Sequence, residues 1–156
     1  MPGRLLDDDG AALFRLQGGG KGTLTASQVC VGDMNDLAIS VYCEEAGLHW
    51  RQQDPNLLRV GRRDRPDEIW HAGANRAYVA PEILAIQRTP GGHPEGYLEA
   101  FANLYAAFGA DIRAGAQGAG DPGYASMEDA IVGMKFVRAC KRSSDQGAVW
   151  IDISSI

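Results

Sequence analysis

Short turns between apolar segments in the first half of the chain are the feature that most restricts its fold. Residues 12–17 and 23–31 have strand-forming composition and flank the stretch G-G-G-K-G, while E-E-A-G and D-P-N separate the segments that follow. Parallel neighbours need crossovers of a dozen or more residues, whereas antiparallel neighbours need only a tight turn. The spacing therefore predicts an antiparallel meander.

One of these segments alternates strictly between apolar and other side chains. The apolar set is Leu37, Ile39, Val41 and Cys43, and the intervening set is Ala38, Ser40 and Tyr42. A period of two is expected for a strand that buries one face. This pattern predicts a sheet with one face buried.

The second half has helical periodicity. From Pro94 one apolar stripe recurs at three and four residues and ends near Gly115: Tyr97, Phe101, Leu104, Tyr105, Phe108 and Ile112. A second helix is predicted from Ser126, where S-M-E-D supplies an N-cap oxygen and an acidic first turn, to about Ser143 or Ser144. The apolar tail A-V-W-I-D-I predicts a last strand.

Strands followed by helices predict an α+β fold. The expected architecture is an open, mostly antiparallel β-sheet with helices packed on one face. At 156 residues, the chain is expected to form a single domain spanning residues 1–156.

Composition excludes several classes of partner. The net charge is −5, which leaves no excess of cations for a phosphate backbone or an anionic membrane, so no nucleic acid and no membrane partner is expected. No apolar run approaches the roughly 20 residues that span a bilayer, and the acidic start is unlike a signal peptide. A cytoplasmic protein is predicted.

Two familiar motifs are incomplete. In G-G-G-K-G-T, Lys21 is followed by glycine and then strand-forming residues, whereas a P-loop needs a serine or threonine and a helix. We interpret it as a hairpin turn. Cys30, Cys43 and Cys140 lack metal-site spacing and are odd in number, so we interpret them as small buried apolar residues. No metal site is predicted.

Two further groups could bind or react. Asp67 and His71 have D-x-x-x-H spacing, but their strongly polar surroundings favour a solvated strand or turn. Trp50, Gln52 and Asp54 could present an aromatic ring and hydrogen-bonding groups to a sugar, although a tryptophan in the core or at a subunit interface is the simpler interpretation.

The stretch T-P-G-G-H-P-E-G-Y is more unusual. Pro94 suits the first position of a helix, which would make His93 the N-cap, a position that usually carries Ser, Thr, Asp or Asn. Two preceding glycines allow close approach of the backbone to another surface. A neutral imidazole can donate and accept a hydrogen bond, as a substrate hydroxyl requires. His93 is either a loop residue without function or a substrate contact.

Three segments together resemble a known family. They are G-G-G-K-G-T-L-T-A-S-Q-V-C-V-G-D-M-N-D-L, G-L-H-W-R-Q-Q-D-P-N and G-H-P-E-G-Y-L-E-A-F-A-N-L-Y. In this order they resemble the C-terminal domain of the glucose-fructose oxidoreductase, inositol dehydrogenase and MocA (Gfo/Idh/MocA) family of NAD(P)-dependent oxidoreductases. The resemblance covers nearly the whole chain.

This resemblance implies a substrate-binding and oligomerisation domain of a sugar, polyol or cyclitol oxidoreductase. A separate Rossmann domain would bind NAD or NADP, and the sheet would form a homo-oligomer. It also implies that His93 faces the substrate. The family's E-K-P motif and the segment that carries its catalytic aspartate and histidine have no counterpart here, so no catalytic or cofactor-binding residue is assigned. The chain is expected to be truncated at its N-terminus and inactive alone.

Two other functions remain open. The first is a non-enzymatic sheet-based binding or assembly domain. A polar sheet face at Gln28, Ser40 and Gln52 would favour ligand binding, and an apolar face around Val29, Val31 and Trp50 would favour association. The second is a small cone-shaped isomerase or dehydratase, which would need a buried acid-base pair.

Overall fold

The computed structural model describes residues 6–115 and 123–156, which contain six strands, three α-helices and one short 3-10 helix. By internal contacts the chain divides into two compact units. Unit 1 comprises Met1–Met34 with Ala125–Ile156, and unit 2 comprises Asn35–Tyr124.

Unit 1 contains a hairpin and a long helix. Strands β1 (Asp9–Arg15) and β2 (Lys21–Ser27) pair antiparallel, with Ala12 opposite Leu24. The glycine-rich loop closes as a turn, because the Leu16 amide donates to the Gly20 carbonyl at 2.8 Å and Gly19 has a positive φ of 88°. The predicted hairpin is confirmed.

Helix α3 (Met127–Asp145) begins as its sequence predicts. The Asp129 amide donates to Ser126 Oγ at 3.1 Å, and the Ser126 amide donates to Asp129 Oδ2 at 2.8 Å. This reciprocal capping box satisfies two donors that a helix start leaves unpaired. In unit 1 the rings of Phe14 and Phe136 meet edge to face at 6.1 Å.

The predicted last strand is wrong. Positive φ angles at Gly147 and Ala148 reverse the chain after α3, and Ser143 Oγ donates to the Val149 carbonyl at 2.7 Å. Asp152 then caps a 3-10 helix, Ile153–Ser155, by accepting from the Ser154 amide. Trp150 meets the guanidinium of Arg15 at 4.4 Å from its ring centre instead of pairing in a sheet.

Unit 2 is built on a four-stranded antiparallel meander. Its strands are β3 (Ala38–Tyr42), β4 (Ala46–Arg51), β5 (Leu57–Arg62) and β6 (Glu68–His71), in that order. The predicted α+β class and antiparallel pairing are confirmed. The hairpin of unit 1 is a separate two-stranded sheet, so the described strands do not form the single sheet that was expected.

The register gives the meander two unlike faces. Ile39, Trp50, Leu58 and Trp70 lie opposite one another across the four strands, and Val60, the one fully buried apolar residue described, is 3% exposed beside them. Ser40 lies on the other face, where its Oγ is 3.0 Å from Nδ1 of His49. The alternation of apolar and other side chains is confirmed, but the predicted burial of one face is wrong for β3, whose five residues are all exposed.

Two helices follow the meander in unit 2. Helix α1 (Pro81–Leu84) is a single turn, and helix α2 (Tyr97–Arg113) carries the predicted apolar stripe. The stripe remains exposed, from 41% at Leu104 to 72% at Tyr105. In the described ranges, 6–115 and 123–156, no helix is long and apolar enough to cross a membrane.

The interpretation of the three cysteines as buried residues is wrong. Cys30 and Cys43 are exposed, and Cys140 is half-buried. Cys30 follows the end of β2 and Cys43 follows the end of β3, so neither side chain lies within a strand. All three thiols are free.

Candidate functional site

His93 lies in a tight turn and not at a helix start. The His93 amide donates to the Pro90 carbonyl at 3.1 Å, and Gly92 has a positive φ of 93°, which suits glycine at the third position of a turn. Helix α2 begins three residues after the predicted Pro94, with Gly96 as N-cap. The prediction of His93 as N-cap is therefore wrong, because the Gly96 amide donates to Glu99 Oε2 at 2.8 Å and fixes the start there.

The turn also determines which nitrogen of the His93 imidazole carries the hydrogen. Nδ1 of His93 is 3.3 Å from the Pro90 carbonyl oxygen, and a carbonyl can only accept. Nδ1 must therefore carry the hydrogen in this contact, which leaves the lone pair of the neutral ring on Nε2. His93 is exposed, so Nε2 can accept a hydrogen bond from a hydroxyl.

Glu95 holds the segment that carries this turn. Residues 88–95 are called the His93 loop below. The Glu95 carboxylate accepts from the Arg88 amide at 2.9 Å and from the Thr89 amide at 3.1 Å, and its side chain is 13% exposed. Partial burial alone would raise the pKa of Glu95, but the hydrogen bonds from Thr89 and Arg88 and the positive charge of Arg88 outweigh it, so the pKa lies below 4.5.

The loop is also tied to the turn between β4 and β5. Asn56 Nδ2 donates to the Glu95 carbonyl at 2.7 Å, and the Glu95 amide donates back to Asn56 Oδ1 at 3.2 Å. Within the loop, Thr89 Oγ1 donates to the His93 carbonyl at 2.9 Å. These bonds fix both ends of the turn that presents His93.

A second turn, residues 73–76, packs against the loop. The Ala74 amide donates to the Thr89 carbonyl, and the Gly91 amide donates to Asn75 Oδ1, each at 2.8 Å. A Cβ on Gly73 would lie 2.6 Å from the Gly91 Cα, and a Cβ on Gly91 would lie 2.6 Å from Nη2 of Arg76. Glycine at both positions lets the two backbones and the guanidinium meet.

An apolar cavity of about 330 Å³ lies on the same unit, lined largely by aromatic and aliphatic side chains. Trp50 Nε1 donates to the Pro55 carbonyl at 3.0 Å, Trp70 Nε1 donates to Glu68 at 2.7 Å, and Tyr78 Oη donates to the His71 carbonyl at 2.8 Å. The polar atoms of these aromatics are thus used within the protein, which leaves their ring surfaces to line the cavity.

Of the other sequence candidates, Trp50 and His71 both line this cavity, whereas Gln52 and Asp67 do not. Gln52 accepts from Asn35 at 3.4 Å, away from the cavity that Trp50 lines. Asp67 accepts two hydrogen bonds from Arg59, at 2.5 and 3.0 Å. Four positions along an extended chain span roughly 13 Å, so Asp67 cannot reach His71.

The sheet-face residues named for the alternative functions lie in different places. Gln28, Val29 and Val31 follow the end of β2, outside the strands, and Gln52 follows the end of β4. Ser40 and Trp50 are on opposite faces of the meander. The polar and apolar faces therefore coexist in one sheet.

The described strands do not build a dinucleotide crevice of the Rossmann type. That crevice needs parallel strands with a glycine-rich turn leading into a helix. Every strand pair within 6–115 and 123–156 is antiparallel, and the glycine-rich turn joins two strands. No group of three or more His, Cys, Asp or Glu that could hold a metal occurs in those ranges.

No protein family model matches the chain. Solved structures of oxidoreductases, however, superimpose closely on it. The oxidoreductase from Sinorhizobium meliloti superimposes with a TM-score of 0.87 and 38% identity over 97% of this chain. An inositol dehydrogenase homolog from Azotobacter vinelandii, complexed with NADH and myo-inositol, gives 0.86 and 32% over 95%. The chain is similar to part of an oxidoreductase.

A protein of related sequence is also described as an oxidoreductase. The uncharacterized oxidoreductase YfiI of Bacillus subtilis (strain 168) is 27% identical over 151 residues, which is 94% of this chain. The chain spans 38% of YfiI, 43% of the Sinorhizobium protein and 40% of the Azotobacter protein. It therefore corresponds to about two fifths of these relatives.

Proposed function

We propose that this chain is the substrate-binding and oligomerisation part, of the C-terminal type, of an NAD(P)-dependent sugar, polyol or cyclitol oxidoreductase of the Gfo/Idh/MocA family. The observation that carries the proposal is the match over 95% of the chain to a protein whose structure holds NADH and myo-inositol. Residues 1–156 would form one such domain in the cytoplasm, with helices covering one face of the sheet in the complete enzyme.

His93 is the residue that we assign to substrate binding. Its Nε2 would accept a hydrogen bond from a substrate hydroxyl, since Nδ1 is engaged by the Pro90 carbonyl. The His93 loop is held by Glu95, Asn56 and Asn75, so the imidazole is positioned before the substrate arrives. Positioning of this kind lowers the entropic cost of binding.

The nicotinamide cofactor would be bound by a Rossmann domain rather than by the residues described here. The antiparallel strands and the turn at Gly19 support this assignment. As a consequence, the chain alone should not transfer hydride to or from a polyol.

Replacement of His93 by alanine tests the substrate assignment. Loss of one neutral hydrogen bond is expected to weaken the binding of myo-inositol about fivefold, measured by isothermal titration calorimetry on the chain. His49→Ala is the matched control, because His49 is bonded to Ser40 on β3 and should leave the affinity unchanged. Equal affinities for wild type and His93→Ala would refute the role of His93. Hydride transfer by the chain alone would refute the assignment of the cofactor.

A sheet-based assembly domain is the second candidate, because the apolar face of the meander is open at its edge. Ile39 is 58% exposed and Val41 is 44% exposed on β3. Exposed contiguous apolar surface of this kind favours association. Sedimentation of the chain should therefore show a dimer or larger species.

A charge on that face should shift the oligomer towards monomer. Val41→Lys places an ammonium on the apolar face, whereas Ser40→Lys places the same group on the opposite face and serves as the control. A wild-type monomer, or equal effects of the two substitutions, would count against assembly through this surface.

A further inference from the structure

We propose that Arg76, beside the His93 loop, forms an oxyanion subsite, so that the substrate is a polyol that carries a carboxylate or a phosphate. This inference rests on the proposed function and narrows its substrate class. The polyol part would meet His93, and the anionic group would meet the guanidinium.

The position of Arg76 is set by the contact between the two turns. Its amide donates to the Gly73 carbonyl at 3.0 Å, which closes the turn 73–76. Its guanidinium lies against Gly91, where a Cβ would be 2.6 Å from Nη2 and 2.8 Å from Cζ. Gly91 is two residues before His93, so one turn supports both the guanidinium and the imidazole.

Arg76 is half-buried, and no carboxylate within residues 6–115 and 123–156 forms an ion pair with it. Its Nε is closed off from solvent without a hydrogen-bond partner, and within the described residues the side chain makes no ion pair. A cation held this way is costly unless an anion compensates it. The carboxylate of the His93 loop, Glu95, already accepts from the amides of Arg88 and Thr89.

The chemistry of the guanidinium selects the class of ligand. Its planar array of N–H donors matches the paired oxygens of a carboxylate or phosphate, and hydrogen bonds to a charged group are stronger than neutral ones. A neutral cyclitol offers hydroxyls to His93 but no charge to Arg76. The subsite therefore favours a sugar acid or sugar phosphate over myo-inositol.

Calorimetric titration of the chain with four compounds tests this subsite. D-Glucuronate carries a carboxylate, glucose 6-phosphate carries a phosphate, myo-inositol is neutral, and inorganic phosphate is an anion without a polyol. At least one anionic sugar is expected to bind about tenfold or more tightly than myo-inositol, and the preferred one identifies the oxyanion. The proposal would be overturned if either inorganic phosphate or myo-inositol bound as tightly as the preferred anionic sugar.

Substitution of Arg76 should remove the preference for anionic sugars without weakening the binding of myo-inositol. Arg76→Gln is expected to weaken the anionic sugar about tenfold and to leave the affinity for myo-inositol unchanged, while Arg76→Lys, which keeps the charge, should recover part of the loss. Arg63→Gln, which replaces an exposed arginine of unit 2, is the control. Circular dichroism verifies that each variant folds.

The two proposals fail in different ways. An unchanged affinity for the anionic sugar in Arg76→Gln would overturn the oxyanion subsite and leave the proposed function intact. Binding of neutral myo-inositol that did not depend on His93 would overturn the substrate assignment itself.

Discussion

Gly73→Ala is expected to lower the free energy of unfolding by about 3 kcal/mol or more. Two costs add: strain from a side chain at a φ of +154°, and overlap of the new Cβ with backbone of Gly91, whose Cα would be 2.6 Å away. Backbone on both sides cannot move aside as a flexible side chain could. Urea denaturation followed by tryptophan fluorescence measures the loss.

Gly92→Ala is the matched control for this prediction. Gly92 also has a positive φ, of +93°, but a Cβ there would meet nothing within 4 Å. Only the backbone penalty of about 1–2 kcal/mol applies. If the two variants lost the same stability, the close contact between the turns at Gly73 and Gly91 would be disproved.

Glu95→Ala is expected to cost about 3 kcal/mol. The substitution leaves the amides of Arg88 and Thr89 without their acceptor, and unpaired donors in a partly buried position are expensive. Chemical denaturation at pH 7 measures the effect. Glu82→Ala on α1 is the control, since Glu82 is exposed and should change stability by a few tenths of a kcal/mol.

The contribution of Glu95 should also depend on pH. Its pKa in the folded protein lies below the ordinary 4.5, so the folded state favours the carboxylate. The stability gained from ionisation is therefore fully present above pH 4.5 and is lost as the pH falls through the lower, folded pKa. The difference in stability between wild type and Glu95→Gln should shrink between pH 7 and pH 3. A difference that stayed constant, or grew, would contradict this.

Much of the secondary structure could be predicted because it depends on near neighbours. The hairpin at Gly19, the alternation in β3 and the capping box of Ser126 and Asp129 each lie within a few residues. The start of α2 was misplaced because Pro94 is a good local signal, whereas the bond from the Gly96 amide to Glu99 decides the boundary.

Of the candidate site, the sequence singled out only His93. His93 stood out because histidine is a poor cap, but its supporting residues are distant in sequence: Asn56 is 39 residues from Glu95, and Asn75 is 16 from Gly91. Periodicity carries no information about such pairs. A weaker signal was available, since Asn56, Asn75 and Glu95 each sit in a turn sequence, D-P-N, G-A-N or P-E-G, where side chains often bond to backbone.

The hydrogen bonds that hold the His93 loop are made to main-chain atoms. Glu95 accepts from the backbone amide of Arg88, and Asn75 accepts from that of Gly91. The side chain of Arg88 adds only a long ion pair to Glu95, at 4.0 Å, so a change in its size should leave these backbone bonds in place. Such an arrangement lets a side chain of the loop such as Arg88 vary while the path of the backbone through residues 88–95 is kept.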